Sequence, residues 1–397
     1  MTSKVTAIRF SDRGEGNGPK IIPERLLEAR KAIAITQTEL AEKVGVSRQL
    51  ISAFEQGVKQ PGNISMHKIA SVLDQPIGYF ISSNAEFEFG PLSARTYRAF
   101  GPTTHRRNDQ CDVVARWCTR IAAYLSKKIN FPEPVIPDLD DMNIKEMEDI
   151  DDIADSVRTE WGLGLGPIGN LTKLLESKGI FIVSVPINTA KVNAFSFWAG
   201  GIPFIILGSD DNTTCVRRRF DLAHELGHLV LHRGVGDEEL KDKKTLDNIE
   251  REANRFAGAF LLPQRSYPNE IFSSKLETFV DLKARWKVAI AAQVYRCSDL
   301  KIFTSEQTLN LRKQISYRKW RTKEPLDDVL ELETPVMLKG AAKMITNAGL
   351  LSPQAIYADI NLNASILERV TGIAKSDFIG DMDDSSPVLE LKPAPAE

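Results

Sequence analysis

The segment His224-Glu225-Leu226-Gly227-His228 places two histidines four residues apart with a glutamate beside the first. On a helix, residues at this spacing lie one turn above each other, so both imidazoles can reach a single metal ion. Zinc accepts such ligands, and a carboxylate next to them can take a proton from a zinc-bound water and pass it to a leaving amine. The pattern predicts zinc-dependent peptide hydrolysis, with His224 and His228 as ligands and Glu225 as general base.

The residues around this segment predict the helix that must carry it. Its apolar and small residues lie on the same helix face as the two histidines, namely Phe220, Ala223, Gly227 and Leu231. Because an apolar face packs against the protein interior, we expect both histidines to point inward. A glycine inside a helix costs about 1 kcal/mol relative to alanine. We therefore expect a neighbouring helix to approach Gly227 closely.

A second helix, predicted over residues 249–262, offers the third ligand. Glu250 shares a face with small residues that could press against Gly227, namely Ala253, Asn254 and Ala257. Glu252 is the rival ligand, but it shares a face with Arg255 and turns away from that stripe. His232 lies on the His224 face, yet three histidines in successive turns span roughly 12 Å, too far for one zinc ion. We expect His232 to pack or to close the helix.

These residues carry a family resemblance. Residues 220–231 followed by residues 249–263 (IEREANRFAGAFLLP) resemble the ImmA/IrrE zinc metallopeptidases, and the resemblance extends over most of the chain after residue 90. It implies a gluzincin-like fold with His224, His228 and Glu250 as zinc ligands and Glu225 as catalytic base. It also implies that Asn254 orients a ligand histidine.

A second pattern lies near the N-terminus, where residues 22–80 divide into short helical stretches separated by tight turns. Thr36 and Glu39 form a capping box at the start of one helix, and the turn Gly45-Val46 ends it. Ser47 can cap the next helix, on which Ile51 and Phe54 face inward. This succession predicts a helix-turn-helix.

The outer face of that second helix is suited to reading DNA. It carries Ser47, Arg48, Gln49 and Ser52, while Gln37 on the preceding helix could bond a phosphate. Residues 37–62 resemble the Xre-type helix-turn-helix of phage and bacterial repressors, which implies binding to a double-stranded operator. The excess of basic residues in this region is slight, so we expect a homodimer on two half-sites.

The complete pattern predicts a mostly α chain with a small β-sheet, of the α+β class. We expect a helix-turn-helix domain at 20–82, a helical connector with an acidic linker at 83–155 and a zinc metallopeptidase domain at 156–265. A helical C-terminal extension at 266–380 and a disordered tail at 381–397 would follow. Short apolar strands at 180–185, 194–198 and 203–207 precede the zinc helix, and residues 204–207 are expected to form the sheet edge that receives substrate. The acidic residues of 138–155 are expected to be solvated.

Composition places limits on the class of protein. The chain has 397 residues, a net charge of −2 and 42% hydrophobic residues, which is enough for two or three cores. The apolar h-region of a signal peptide and an apolar run long enough to span a bilayer are both absent, so a secreted protease is disfavoured and a cytoplasmic location without membrane contact is expected. The four cysteines have neither metal nor disulfide spacing and are read as reduced thiols.

Two functions from different classes are compatible with these features. The first is a DNA-binding regulator whose zinc endopeptidase cleaves itself or a partner repressor. The second is a repressor or antitoxin whose zinc domain senses a ligand or partner without proteolysis. For the first, the sequence offers only Tyr267 and His232 as guesses for the donor that stabilises an oxyanion.

Overall fold

The computed structural model describes residues 20–82, 87, 89–93, 105–137, 146–186, 193–208, 213–236 and 238–378, without the side chains of 105–107. The described residues are mostly helical with one small sheet, as predicted. The strands are β1 Phe181–Val185, β2 Ala194–Ala199 and β3 Ile202–Gly208. The helices are α1 Pro23–Ala32, α2 Gln37–Val44, α3 Arg48–Glu55, α4 Asn63–Val72, α5 Ile77–Ile81, α6 His105–Ser126, α7 Asp149–Glu160, α8 Leu171–Ser177, α9 Cys215–Leu231, α10 Lys243–Leu261, α11 Leu276–Trp286, α12 Ile290–Asp299, α13 Ser305–Tyr317, α14 Met337–Asn347, α15 Pro353–Ile360, α16 Ala364–Thr371 and α17 Lys375–Phe378.

The first five helices form the predicted helix-turn-helix region. The Thr36 and Glu39 capping box begins α2, and Gly45 ends it in the left-handed conformation with φ of 81°. A side chain is strained at that φ, which is why glycine suits this turn. The Ser47 hydroxyl accepts a 3.2 Å hydrogen bond from the Leu50 N–H and so caps α3. The local capping signals therefore place both helices where the sequence predicted them.

The order of strands in the sheet corrects one expectation. The order is β1-β3-β2, with β1 parallel and β2 antiparallel to β3. Residues 204–207 lie in the central strand, so their prediction as the substrate edge is wrong. Residues 203–207 are buried throughout, which is typical of a strand covered on both faces. The edge that lies against the predicted zinc helix is β2, through the contact of Ser196 with Glu225.

Alternate residues of the sheet enter two different cores. Phe195, Phe197 and Phe204 belong to a core shared with helices α1–α6 and α14–α17. Trp198 and Ile205 belong to a core shared with helices α7–α13. The sheet therefore separates the helix-turn-helix side of the molecule from the side that carries the predicted zinc helix.

Helices of the C-terminal extension join both cores, with α11–α13 on the zinc-helix side and α14–α17 on the helix-turn-helix side. Where α14 begins, the Glu176 carboxylate of α8 accepts hydrogen bonds of 3.0 and 2.9 Å from the Val336 and Met337 N–H groups. Just before α16, the Asn363 N–H donates a 3.0 Å hydrogen bond to Gln75 Oε1 of the N-terminal region. The extension therefore connects the N-terminal region to α8.

The acidic stretch differs from its prediction where it is described. Residues 138–145 lie outside the described residues, and α7 begins at Asp149. Asp151 and Asp155 are buried, so the expectation of a solvated face is wrong for them. Asp151 forms ion pairs with Arg255 and, at 2.7 Å, with Arg296. Two partner arginines compensate a buried carboxylate, and such long-range pairing is invisible in a local charge run.

The predicted tail at 381–397 also lies outside the described residues. Among the helices that the structure describes, none combines the length and the apolar character that crossing a bilayer requires. The connector contains the helix α6, on which Val113, Trp117, Ile121 and Leu125 are buried.

Candidate metal centre and nucleic-acid interface

Helix α9 carries His224, Glu225 and His228, as the spacing predicted. Thr214 caps its first turn, accepting a 3.4 Å hydrogen bond from the Arg217 N–H. Glu225 and His228 are buried, and His224 is partly exposed. The helix thus presents the second histidine and the glutamate inside the protein and the first histidine at the margin of the site.

Helix α10 packs against α9 at the predicted glycine. A Cβ built on Gly227 would lie 3.2 Å from Ala253 Cα and 3.2 Å from Phe256 Cβ, closer than most side-chain contacts allow. The expected close approach at Gly227 is confirmed. This approach brings the first half of α10, with Glu250, next to the two histidines.

Three side chains converge at this crossing. His224 Nε2 and His228 Nε2 are 3.0 Å apart. Glu250 Oε2 lies 3.4 Å from His224 Nε2, and Glu250 Oε1 lies 3.5 Å from His228 Nε2. In tetrahedral coordination with bonds near 2.0–2.1 Å, neighbouring ligand atoms are about 3.3 Å apart. The donor set of two imidazoles and one carboxylate, at these separations, fits zinc.

The rival carboxylate has a different partner. Glu252 Oε2 lies 2.9 Å from His232 Nε2. His232 in turn lies 3.1 Å from His228, through the Nδ1 atoms of both rings. His232 also follows the last residue of α9, where its N–H donates to the His228 carbonyl. His232 therefore links Glu252 to the second histidine, a role that its position four residues after His228 did not reveal.

Asn254 contacts the first histidine. Its Oδ1 lies 3.2 Å from His224 Nδ1, and its Nδ2 donates a 2.8 Å hydrogen bond to the Glu250 carbonyl. With a proton on Nδ1 donated to Asn254, His224 Nε2 keeps its lone pair for a metal ion. The arrangement agrees with the orienting role that the family resemblance implies.

Glu225 is held by the sheet. The Ser196 hydroxyl of β2 donates a 2.7 Å hydrogen bond to Glu225 Oε2. Burial raises the pKa of Glu225 to about 7, against the opposing effects of His224 and of the Ser196 hydrogen bond. A carboxyl with this pKa can both accept and release a proton near neutral pH. Ser196 was not identified from the sequence. The only signal was that Ser196 and Trp198 are two residues apart on a strand, so their side chains point to the same face of the sheet.

Burial and pairing also set the charges of the candidate ligands. Burial lowers the pKa of His228 to about 3, which keeps this imidazole neutral. Burial disfavours ionisation of Glu250, but hydrogen bonds with His224 and His228 outweigh it and lower its pKa to about 2. The same Glu250 contact raises the pKa of His224 against the effect of its burial. A neutral imidazole and an ionised carboxylate are the protonation states that zinc requires.

Both candidate oxyanion donors are already engaged within the protein. Tyr267 is buried in the core, and its hydroxyl donates a 3.0 Å hydrogen bond to Gln293 Oε1. Both ring nitrogens of His232 are occupied by His228 and Glu252.

On the N-terminal side, α3 presents the predicted recognition face. Ser47, Arg48 and Gln49 are exposed, and Ser52 is half-buried with its hydroxyl accepting a 3.3 Å hydrogen bond from Gln56. Gln37 Nε2 donates a 2.8 Å hydrogen bond to Glu55 Oε2, which uses one of its two amide hydrogens. Arg48 and Gln49 therefore have the freest access to a DNA groove within this set.

Comparison with known proteins agrees with both regions. Residues 26–80 match a helix-turn-helix family, and residues 175–298 match the M78 peptidase family, described as the IrrE N-terminal-like domain. The chain is 52% identical over 46 residues to an uncharacterized HTH-type transcriptional regulator of Methanothermobacter thermautotrophicus, an alignment covering 12% of this chain and 67% of the relative. This chain belongs to the HTH-type transcriptional regulators.

This regulator is also 29% identical over 62 residues to the uncharacterized HTH-type transcriptional regulator YqaE of Bacillus subtilis, covering 16% of this chain and 53% of the relative. The chain thus spans about half to two-thirds of the length of these curated relatives. The family match over residues 175–298 shows that the regulator has an M78 peptidase-family domain. This domain contains His224, Glu225, His228 and Glu250.

Proposed function

We propose that this regulator is a cytoplasmic, homodimeric operator-binding protein that carries a zinc-dependent endopeptidase, which cleaves either itself or a partner repressor to control transcription. The observation that carries the proposal is the convergence of His224, His228 and Glu250, whose ligand atoms lie within 4.8 Å of one another. Glu225 stands beside this cluster on the same helix, in the position of a general base.

Each residue of the site has a separate task in this proposal. His224, His228 and Glu250 would hold zinc, which would act as a Lewis acid toward water and a peptide carbonyl. Glu225 accepts a proton from the attacking water and delivers it to the leaving amine, and its raised pKa suits both steps. Asn254 and the His232–Glu252 pair fix the orientation of the two imidazoles.

The strand next to the site provides a way to bind an extended peptide. Because β2 is an edge strand and its Ser196 contacts Glu225, a peptide paired along β2 would run past the general base. Backbone pairing would fix the substrate carbonyl relative to His224, His228 and Glu250. This arrangement supports cleavage within an unfolded or extended segment of a protein.

One observation favours the second candidate, a repressor or antitoxin whose zinc domain senses a ligand or partner without proteolysis. Glu225 is only 5% exposed, and its carboxylate already accepts a hydrogen bond from Ser196. A base in that position has little access to water unless a substrate or ligand rearranges the site. Under this candidate the metal cluster would hold the fold or bind a partner.

A cleavage assay separates the two candidates. Zinc-loaded wild-type protein and the Glu225→Gln variant are incubated with host proteins and with DNA carrying the promoter, and fragments are identified by mass spectrometry. Fragments from the wild type alone would support a regulatory peptidase and name its substrate. Intact proteins throughout, with promoter binding preserved, would reject the peptidase and favour the sensor.

A further inference from the structure

Residues 89–93, which we call the strap, lie across the hairpin that joins β2 to β3. Phe89 packs on one face of the sheet, with ring centroids 6.0 Å from those of Phe181 and Phe204. Gly90 then passes the hairpin so closely that a Cβ built on it would lie 3.0 Å from Gly200 Cα. The strap thus reaches the edge of β2 from the opposite side of the sheet.

At that edge the strap pairs with β2 like a short antiparallel strand. Leu92 and Ala199 form an antiparallel bridge. The Ser93 N–H donates a 2.8 Å hydrogen bond to the Trp198 carbonyl, and the Gly200 N–H donates a 3.3 Å hydrogen bond to the Pro91 carbonyl. The Trp198 N–H donates a 3.0 Å hydrogen bond to Ser93 Oγ. Both backbone polar groups of Trp198 that face the edge are therefore engaged by the strap.

The strap pairs with β2 close to the candidate metal centre. Trp198 stands two residues after Ser196, whose hydroxyl contacts Glu225, so the two positions are roughly 6.6 Å apart along the strand. The Trp198 ring also lies 4.2 Å from the guanidinium of Arg233, just beyond the end of α9. Since backbone groups of a strand point to the same edge at every second residue, Ser196 and Trp198 share the outer edge of β2.

We propose that the strap is an internal competitor for the substrate-binding edge of β2. An extended peptide that pairs with Ser196 and continues toward Ala199 must take the Trp198 backbone groups that the strap holds. The proposal rests on the proposed function, because it gives the β2 edge a substrate. It adds that a peptide can pair along the whole of β2 only when residues 89–93 are displaced. Access to the site therefore depends on a segment that follows the DNA-binding domain in the sequence.

Two neighbouring glycines in the hairpin turn provide a matched pair of variants. Gly200 and Gly201 both have positive φ, of 56° and 87°, so alanine is strained at either position. A Cβ on Gly200 would lie 1.8 Å from the Phe89 carbonyl oxygen, whereas a Cβ on Gly201 meets no atom within 4 Å. Gly200→Ala should therefore push the strap away, and Gly201→Ala imposes a similar turn strain without that collision.

The experiment measures binding of fluorescently labelled unfolded casein to the zinc-loaded full chain in a Glu225→Gln background. Hydrogen exchange of the Ser93, Trp198 and Gly200 amides reports strap pairing in each variant. We expect Gly200→Ala to lose this protection and to bind casein roughly tenfold more tightly, because fewer hydrogen bonds must be displaced. The Gly201→Ala control should keep the protection and the parent affinity.

Ser93→Pro is the second variant, since it removes both the N–H that donates to the Trp198 carbonyl and the Oγ that accepts from the Trp198 N–H, and leaves the hairpin residues unchanged. A gain in casein binding by this variant supports the proposal even if Gly200→Ala does not fold. The proposal would be overturned if a variant lost amide protection in the strap without binding casein more tightly than its parent. This holds whether all the proteins bind casein equally or none of them binds it. Cleavage by proteins that retain Glu225 is measured separately, so absence of peptidase activity is distinguished from failure of the strap.

Discussion

The Ser196 hydroxyl of the edge strand donates a 2.7 Å hydrogen bond to the Glu225 carboxylate of the metal helix. This bond connects the strand that would bind a peptide to the residue that would transfer its proton. It also opposes the burial that raises the pKa of Glu225. The position of the base is thus fixed by the sheet as well as by α9.

Replacing Ser196 with alanine should lower the rate of peptide cleavage about tenfold while zinc content stays unchanged. Loss of the hydrogen bond raises the pKa of Glu225 further, so the rise of the rate with pH should move to higher pH. A pH profile of kcat/KM measures both effects. Ser184→Ala on β1 is the matched control, and a profile for Ser196→Ala that coincides with the wild type would reject the role of Ser196.

Glu250 and Glu252 should differ sharply when each is changed to glutamine. Glu250 lies between the two histidines and should be needed for zinc, whereas Glu252 contacts only His232 in this site. We expect Glu250→Gln to be isolated without zinc. Glu252→Gln should keep the metal, with affinity weakened roughly 10- to 100-fold. Metal analysis and competition with a chelator provide the measurement, and the reverse pattern would make Glu252 the ligand.

Two glycine substitutions should have opposite effects on stability. Gly227→Ala would press against Ala253 and Phe256 and should destabilise the protein by about 1–3 kcal/mol. Gly258→Ala on α10 would place its Cβ 3.7 Å from Arg296 Cδ, an ordinary contact, and should stabilise the helix by up to about 1 kcal/mol. Urea unfolding measures both free energies. Equal effects of the two substitutions would contradict the close helix crossing at Gly227.

Replacing the exposed Arg48 with alanine should cost about 1–3 kcal/mol of binding at one base pair of the operator. Affinities for operators mutated at single positions measure this loss. Lys31→Ala is a control, because Lys31 lies on α1 and pairs with Asp109. A uniform loss on every sequence would instead make Arg48 a phosphate contact.

The sequence predicted features that depend on nearby residues. The capping box of α2, the Ser47 cap and the spacing of His224 and His228 are all local signals, and the structure contains each of them. The approach of α10 to Gly227 was also predictable, because a glycine and a stripe of small residues had to meet somewhere.

The features that the sequence did not reveal depend on contacts between distant segments. The central position of β3 follows from its parallel pairing with β1, which no local pattern encodes. Burial of Asp151 depends on Arg255 and Arg296, more than a hundred residues away. Ser196 meets Glu225 only because β2 packs on α9. Such pairings are set by topology rather than by neighbouring residues.

The most direct test of the zinc peptidase compares wild-type protein with Glu225→Gln, both saturated with zinc, on the same unfolded protein substrate. Metal content is measured together with the appearance of new N-termini. The account predicts about one zinc ion per chain in both proteins and cleavage by the wild type alone. Equal cleavage by both proteins, or loss of zinc from Glu225→Gln, would contradict the assignment of Glu225 as general base.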